Sequence, residues 1–192
     1  MGVGIITQPL FFFISNNMGK RCLNKLAGGI AVGCTIPRVG VKDIYLMHAG
    51  DVSFEYNSGT GLISAATFVG GAKSYKIEGY KQNIQVNCSL RSLDASSAMD
   101  SSVTFKVQHT ATSSDFVNTL TTGRFRVLAV LNSGVNVVLG STIPLECSAA
   151  DFDSNANANM ITLTLSTPEG SAGSPMLAVL DAVKNTIISK SV

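Results

Sequence analysis

The feature that most constrains this chain is a two-residue alternation that recurs along it. Ile84, Val86, Cys88 and Leu90 alternate with Gln85, Asn87 and Ser89. Val103, Phe105 and Val107 alternate with Thr104, Lys106 and Gln108, and Ile161, Leu163 and Leu165 with Thr162 and Thr164. Successive side chains of a strand point to opposite faces, so each run is expected to bury one face and wet the other. Residues 52–56 and 74–80 repeat the pattern, and residues 43–47 form a short apolar run. Residues 124–131 lead into Asn132-Ser133-Gly134, a turn that supplies a positive φ, and residues 135–140 return antiparallel.

One segment has helical spacing. Ser113 or Ser114 can cap it, Asp115 suits its first turn, and Phe116, Val117 and Leu120 share a face. Gly123 is expected as the left-handed terminal residue, which gives a helix over residues 114–122. Residues 148–159 read as a polar loop, 167–175 as a turn, 176–180 as a last strand and 181–189 as a tail without a defined state. The order predicts a mainly β protein: an antiparallel β sandwich or barrel with one short flanking α-helix and an extended N-terminal arm. The expected division is an arm over residues 1–38, a β domain over 39–181 and a C-terminal tail over 182–192.

Composition narrows the functional classes. Only 14 % of the residues are charged, whereas Ser, Thr and Asn number 22, 15 and 13 of 192. The polarity is therefore hydroxyl and amide rather than ionic. A net charge of +2 does not point to nucleic-acid binding. A mean hydropathy of +0.30 suits a chain covered by neighbours, so assembly into a homo-oligomer is expected. Charge is also uneven: residues 1–126 carry +5 and residues 127–192 carry −3. Such a chain can present a positive end to the negative end of the next copy.

The N-terminal apolar run, residues 5–14, lacks a preceding Lys or Arg, is broken by Pro9 and is too short to span a bilayer. No membrane partner is expected. Two readings remain open: translation from Met18, or an arm that lies on a neighbouring subunit. On the second, Phe11, Phe12 and Phe13 supply burial, while Arg21 and Lys25 in the basic neck supply orientation. A second expected assembly contact is the glycine-rich segment 57–80, whose Leu62, Ile63, Phe68 and Val69 would be exposed in a monomer.

No catalytic, metal or cofactor site is expected. Cys22, Cys34, Cys88 and Cys147 form no short-spaced pair, which argues against structural zinc and for buried reduced thiols. Cys88 and His109 could in principle form a nucleophile–base pair, but Cys88 alternates with core residues and reads as a core thiol. His48 reads as a turn residue. Asp151, Asp153 and Asn155 echo the start of a calcium loop without its glycine and closing glutamate. Phosphate-loop, hydrolase and metalloprotease motifs are absent from the sequence.

The order of several short motifs carries a resemblance. Cys22, a Gly-rich segment and Cys34 precede Val39-Gly40-Val41-Lys42-Asp43-Ile44-Tyr45-Leu46. Later come Leu120-Thr121-Thr122-Gly123-Arg124-Phe125, Asn132-Ser133-Gly134, Val138-Leu139-Gly140 and Pro144-Leu145, an Asp/Asn-rich loop, a Leu-Thr-Leu strand and Pro175. This order resembles tail-tube-like virion structural proteins of phages and prophages of Bacteroidota hosts, loosely over residues 20–180. The resemblance implies a β sandwich with a flanking helix and a non-enzymatic subunit of a stacked, hexameric ring. It further implies contacts with other virion proteins, a lumen that DNA passes without specific binding, and assembly in the bacterial host cytoplasm. Other virion parts (collar, ring, tail-completion or capsid-auxiliary protein) and a surface-binding β domain are the alternative readings.

Overall fold

The computed structural model describes residues 39–192 apart from 79–82, 94–95, 153–159 and 172. The expectations for residues 1–38, including Phe11, Phe12, Phe13, Arg21 and Lys25, lie outside the described residues. So do Asp153 and Asn155.

The described chain is mainly β and antiparallel, as the alternation predicts. Its first layer contains β1 (Val41–His48), β4 (Tyr75–Glu78), β7 (Arg124–Leu131), β8 (Asn136–Leu139) and the two-residue β11 (Leu177–Ala178). β1 pairs with β4 on one edge and β7 on the other, and β8 continues from β7 to β11. The β7–β8 hairpin is the one expected around Asn132 to Gly134, and Gly134 takes the positive φ of 89° that the turn requires.

The first residues of β7, Arg124 and Phe125, pair instead with β9 (Leu145–Phe152). There the sheet folds over. β9 continues to β10 (Met160–Ser166), β6 (Ser96–Gln108) and β5 (Ile84–Leu93), which make the second layer. The inward positions of both layers form one core: Ile44, Leu46, Val127 and Leu139 meet Val103, Phe105, Leu163 and Leu165. Each such large side chain contributes about 1.5–3 kcal/mol on burial, before the entropy of ordering is subtracted.

The first layer is buried on its other face as well. The hairpin of β2 (Val52–Asn57) and β3 (Leu62–Phe68) and the helix α2 (Asp181–Ser189) cover it. Tyr45, Met47, Leu128 and Val138 there meet Val52, Ile63, Val179, Val183 and Ile187 in a second core. Arg126 ties β2 to β7: its Nη1 donates to the Val52 carbonyl, and its guanidinium lies 5.7 Å from the Phe54 ring centre. Burial holds that guanidinium below the usual arginine pKa.

Four expectations change. The first helix, α1, spans Ala111–Thr122 and starts three residues before the expected 114. Thr110 caps it, and Ser113 returns the bond to the Thr110 N–H in a capping box. Gly123 is extended (φ −93°), not left-handed; a Cβ there would lie 2.5 Å from the Phe125 ring, so close approach rather than φ requires glycine. Residues 148–152, the start of the expected polar loop, belong instead to strand β9. Finally, residues 181–189 are a helix rather than a tail, because Val183 and Ile187, one turn apart, have the second core to pack against.

Candidate functional site

The outward positions of the second layer form a polar face. They are Thr162, Thr164 and Ser166 on β10, Ser102, Thr104 and Lys106 on β6, and Gln85, Asn87 and Ser89 on β5. Register places these side chains in rows: Thr164 opposes Thr104, which opposes Gln85. The Thr104 and Thr164 hydroxyls lie 3.0 Å apart and share a hydrogen bond, and the Ser148 hydroxyl donates to the Thr164 carbonyl at 3.3 Å. β-branched threonine is well suited to a pleated surface, so the same residues build the strand and present the hydroxyls.

The face is nearly neutral. Arg91 pairs with Asp100 at 3.2 Å and Arg124 with Glu146 at 2.6 Å. Lys106 lacks an acidic partner among the described residues, and it stands beside Thr162, which in turn opposes Asp151.

β5 ends the strand order of this layer. Among the described residues its one strand partner is β6, so alternate backbone N–H and C=O groups on its other side have no ladder partner. The first layer's edges are closed from within the chain. The residue 190–192 segment bonds to Ser74 and Lys76 beside β4, while Leu180 N–H donates to the Ile63 carbonyl beside β11. The β5–β6 hairpin also runs past β10, which pairs with β6 only over Ser102–Gln108. Leu90 on that extension is 67 % exposed.

The expected contact segment is placed differently. Ile63 is fully buried in the second core rather than exposed as expected, and β3 pairs with β2 rather than standing free. Leu62 is half-buried, and Phe68 packs against the same core. Val69, at 61 % exposure, is the one member of the set that is largely uncovered.

The described residues do not bring a nucleophile and base together. Cys88 opposes Ser101, with Sγ 3.5 Å from its hydroxyl. His109 lies eight residues farther along, roughly 26 Å away at 3.3 Å per strand residue, and stacks on Phe152 at 4.8 Å. Burial raises the Cys147 thiol pKa, which favours the unreactive thiol form. Among the described residues no three His, Cys, Asp or Glu side chains cluster to hold a metal, and no helix is long and apolar enough to cross a membrane.

No family model matches the chain, and neither curated proteins nor solved structures contain a match to it. The polar face and the open edge therefore carry the functional reading by themselves.

Proposed function

We propose that the protein is a non-enzymatic phage virion subunit, a tail-tube-like protein whose copies close into stacked, hexameric rings around a DNA channel. The observation that supports this reading is the pairing of a near-neutral hydroxyl and amide face with the open edge of β5 on the same layer. Edge pairing between copies would satisfy the outward backbone groups and continue the layer around a ring. The face carried on that layer would then line the channel. DNA held by lysine and arginine releases counterions and stays bound, whereas threonine, serine and asparagine give passing phosphates no net charge to bind. The same rings would meet other virion proteins at their ends and form in the host cytoplasm.

Negative-stain microscopy of the purified protein, with native mass spectrometry for copy number, tests this. Rings or tubes with a stained channel are expected, and monomers at every concentration would refute it. A closed ring of other than six copies would favour the collar or tail-completion alternatives. A second arm uses charge: Thr104→Lys with Thr164→Lys should make assembled rings retain DNA in a salt-dependent way, while the unaltered rings release it.

A further inference from the structure

A cavity of about 330 Å³ lies between α1 and the ends of β1, β4 and β7. Leu46, Leu120 and Phe125 form its buried floor, and His48, Tyr75 and Phe116 complete the wall. The His48 ring stands nearly perpendicular to Tyr75, with centres 5.9 Å apart, and lies 4.9 Å from Phe125. Tyr75 is 37 % exposed, so the cage opens to the surface. Asp115 stands at the rim as the one acidic side chain of the lining. Among the described residues no cation or hydrogen-bond donor meets its carboxylate; the Thr119 hydroxyl donates to the Asp115 backbone carbonyl instead.

Aromatic faces carry negative potential, and a carboxylate beside them selects a cation that brings an apolar stem. We propose that this cavity takes the ammonium or guanidinium head of a basic side chain from a second copy of the chain. Charge identifies the donor segment. Residues 1–38 hold Lys20, Arg21, Lys25 and Arg38 and no acid, whereas residues 39–192 hold 10 basic and 12 acidic side chains. The inference rests on the assembly reading above and names one of its contacts.

The test mixes equal amounts of ordinary and heavy-isotope-labelled full-length protein, lets them assemble, and couples contacting carboxylates to lysines with a carbodiimide. A mixed-isotope link from Asp115 to Lys20 or Lys25 is expected. Asp115→Asn, at an exposed helix position, should remove it and raise the concentration needed for assembly about tenfold. If the head is a guanidinium, Arg21→Ala or Arg38→Ala should reproduce that tenfold loss and add nothing to Asp115→Asn in the double variant. Links confined to single copies overturn the proposal. So does unchanged assembly of Asp115→Asn, which leaves the assembly reading standing. Wild-type protein that never assembles refutes the assembly reading itself. Free arginine that binds the cavity while Asp115→Asn assembles normally would make it a small-molecule site and also overturn the proposal.

Discussion

Leu120 shows how much one side chain of α1 carries. It is 1 % exposed and belongs to the first core, with Phe116 and Val117 packed beside it. Leu120→Ala is expected to cost about 2–5 kcal/mol in a denaturant titration, the range for a buried leucine that leaves a cavity. A loss under about 0.5 kcal/mol would put it with surface substitutions. Gly173 is constrained differently. A Cβ there would fall on the Met99 carbonyl oxygen, a backbone atom that cannot swing aside. Gly173→Ala should therefore cost at least about 1–3 kcal/mol, as overpacking does. It should also loosen the neighbouring bond from Arg91 Nη2 to the Ser171 carbonyl at 2.7 Å. Gly50→Ala is the control: nothing lies within 4 Å of its Cβ position, and its melting point should barely move.

Among the elements, β3 is structural. Removal of residues 60–72 deletes the strand that brings Ile63 to the second core and is expected to abolish the cooperative melting of the monomer. A deleted protein that melts like the intact one would refute this. Asp181, in the first turn of α2, receives bonds from Lys184 Nζ at 2.8 Å and Asn136 Nδ2 at 3.3 Å. The Lys184 bond holds the Asp181 carboxyl below the usual range. A lowered folded pKa contributes stability that is present above the ordinary aspartate value, about 3.9, and is lost as pH falls through the folded value. Methyl NMR of Val183 and Ile187 should show the helix loosening at that acid limit, and Asp181→Asn should flatten the profile. The elements also show what the sequence could reveal. β5, β6 and β10 were legible because water wets one face and leaves an alternation. β1 and β8 lose that signal, since Ile44 to Met47 and Asn136 to Leu139 are buried on both faces. β9 mixes apolar and polar residues without a clean alternation and is held by β10 and α1, so tertiary pairing outweighs its local pattern. The polar face was legible as a surplus of hydroxyls, but not its placement on a single layer. The cavity was not legible, because its rings come from positions 48, 75, 116 and 125 and meet only on folding.

At the scale of the whole molecule the open β5 edge can be tested directly. Of two neighbouring strand residues, one directs its N–H to the partner strand and the other directs it outward. Proline removes that N–H, so Val86→Pro and Asn87→Pro are not equivalent. One of the two should damage the β5–β6 ladder and lower the melting point. The other should leave the monomer folded and block ring formation. Two variants that both fold and both assemble would exclude β5 as the contact between copies.

β1 has a further consequence, for the order of folding. β5 and β6, and β7 and β8, are hairpins whose partners are close in sequence, whereas Val41 of β1 pairs with Leu131, ninety positions later. Closing the longer loop costs more chain entropy before any contact rewards it, so the hairpins should form early and β1 should dock late. Until then Ile44, Tyr45, Leu46 and Met47 have neither of the faces that bury them in the finished protein. Stopped-flow refolding should show a slow phase that β1 substitutions alter most, and its yield should fall as protein concentration rises. Lys42 and Asp43 stand directly before that apolar run. Charges in this position oppose strand-to-strand aggregation, so they protect the chain while its central strand waits for a partner.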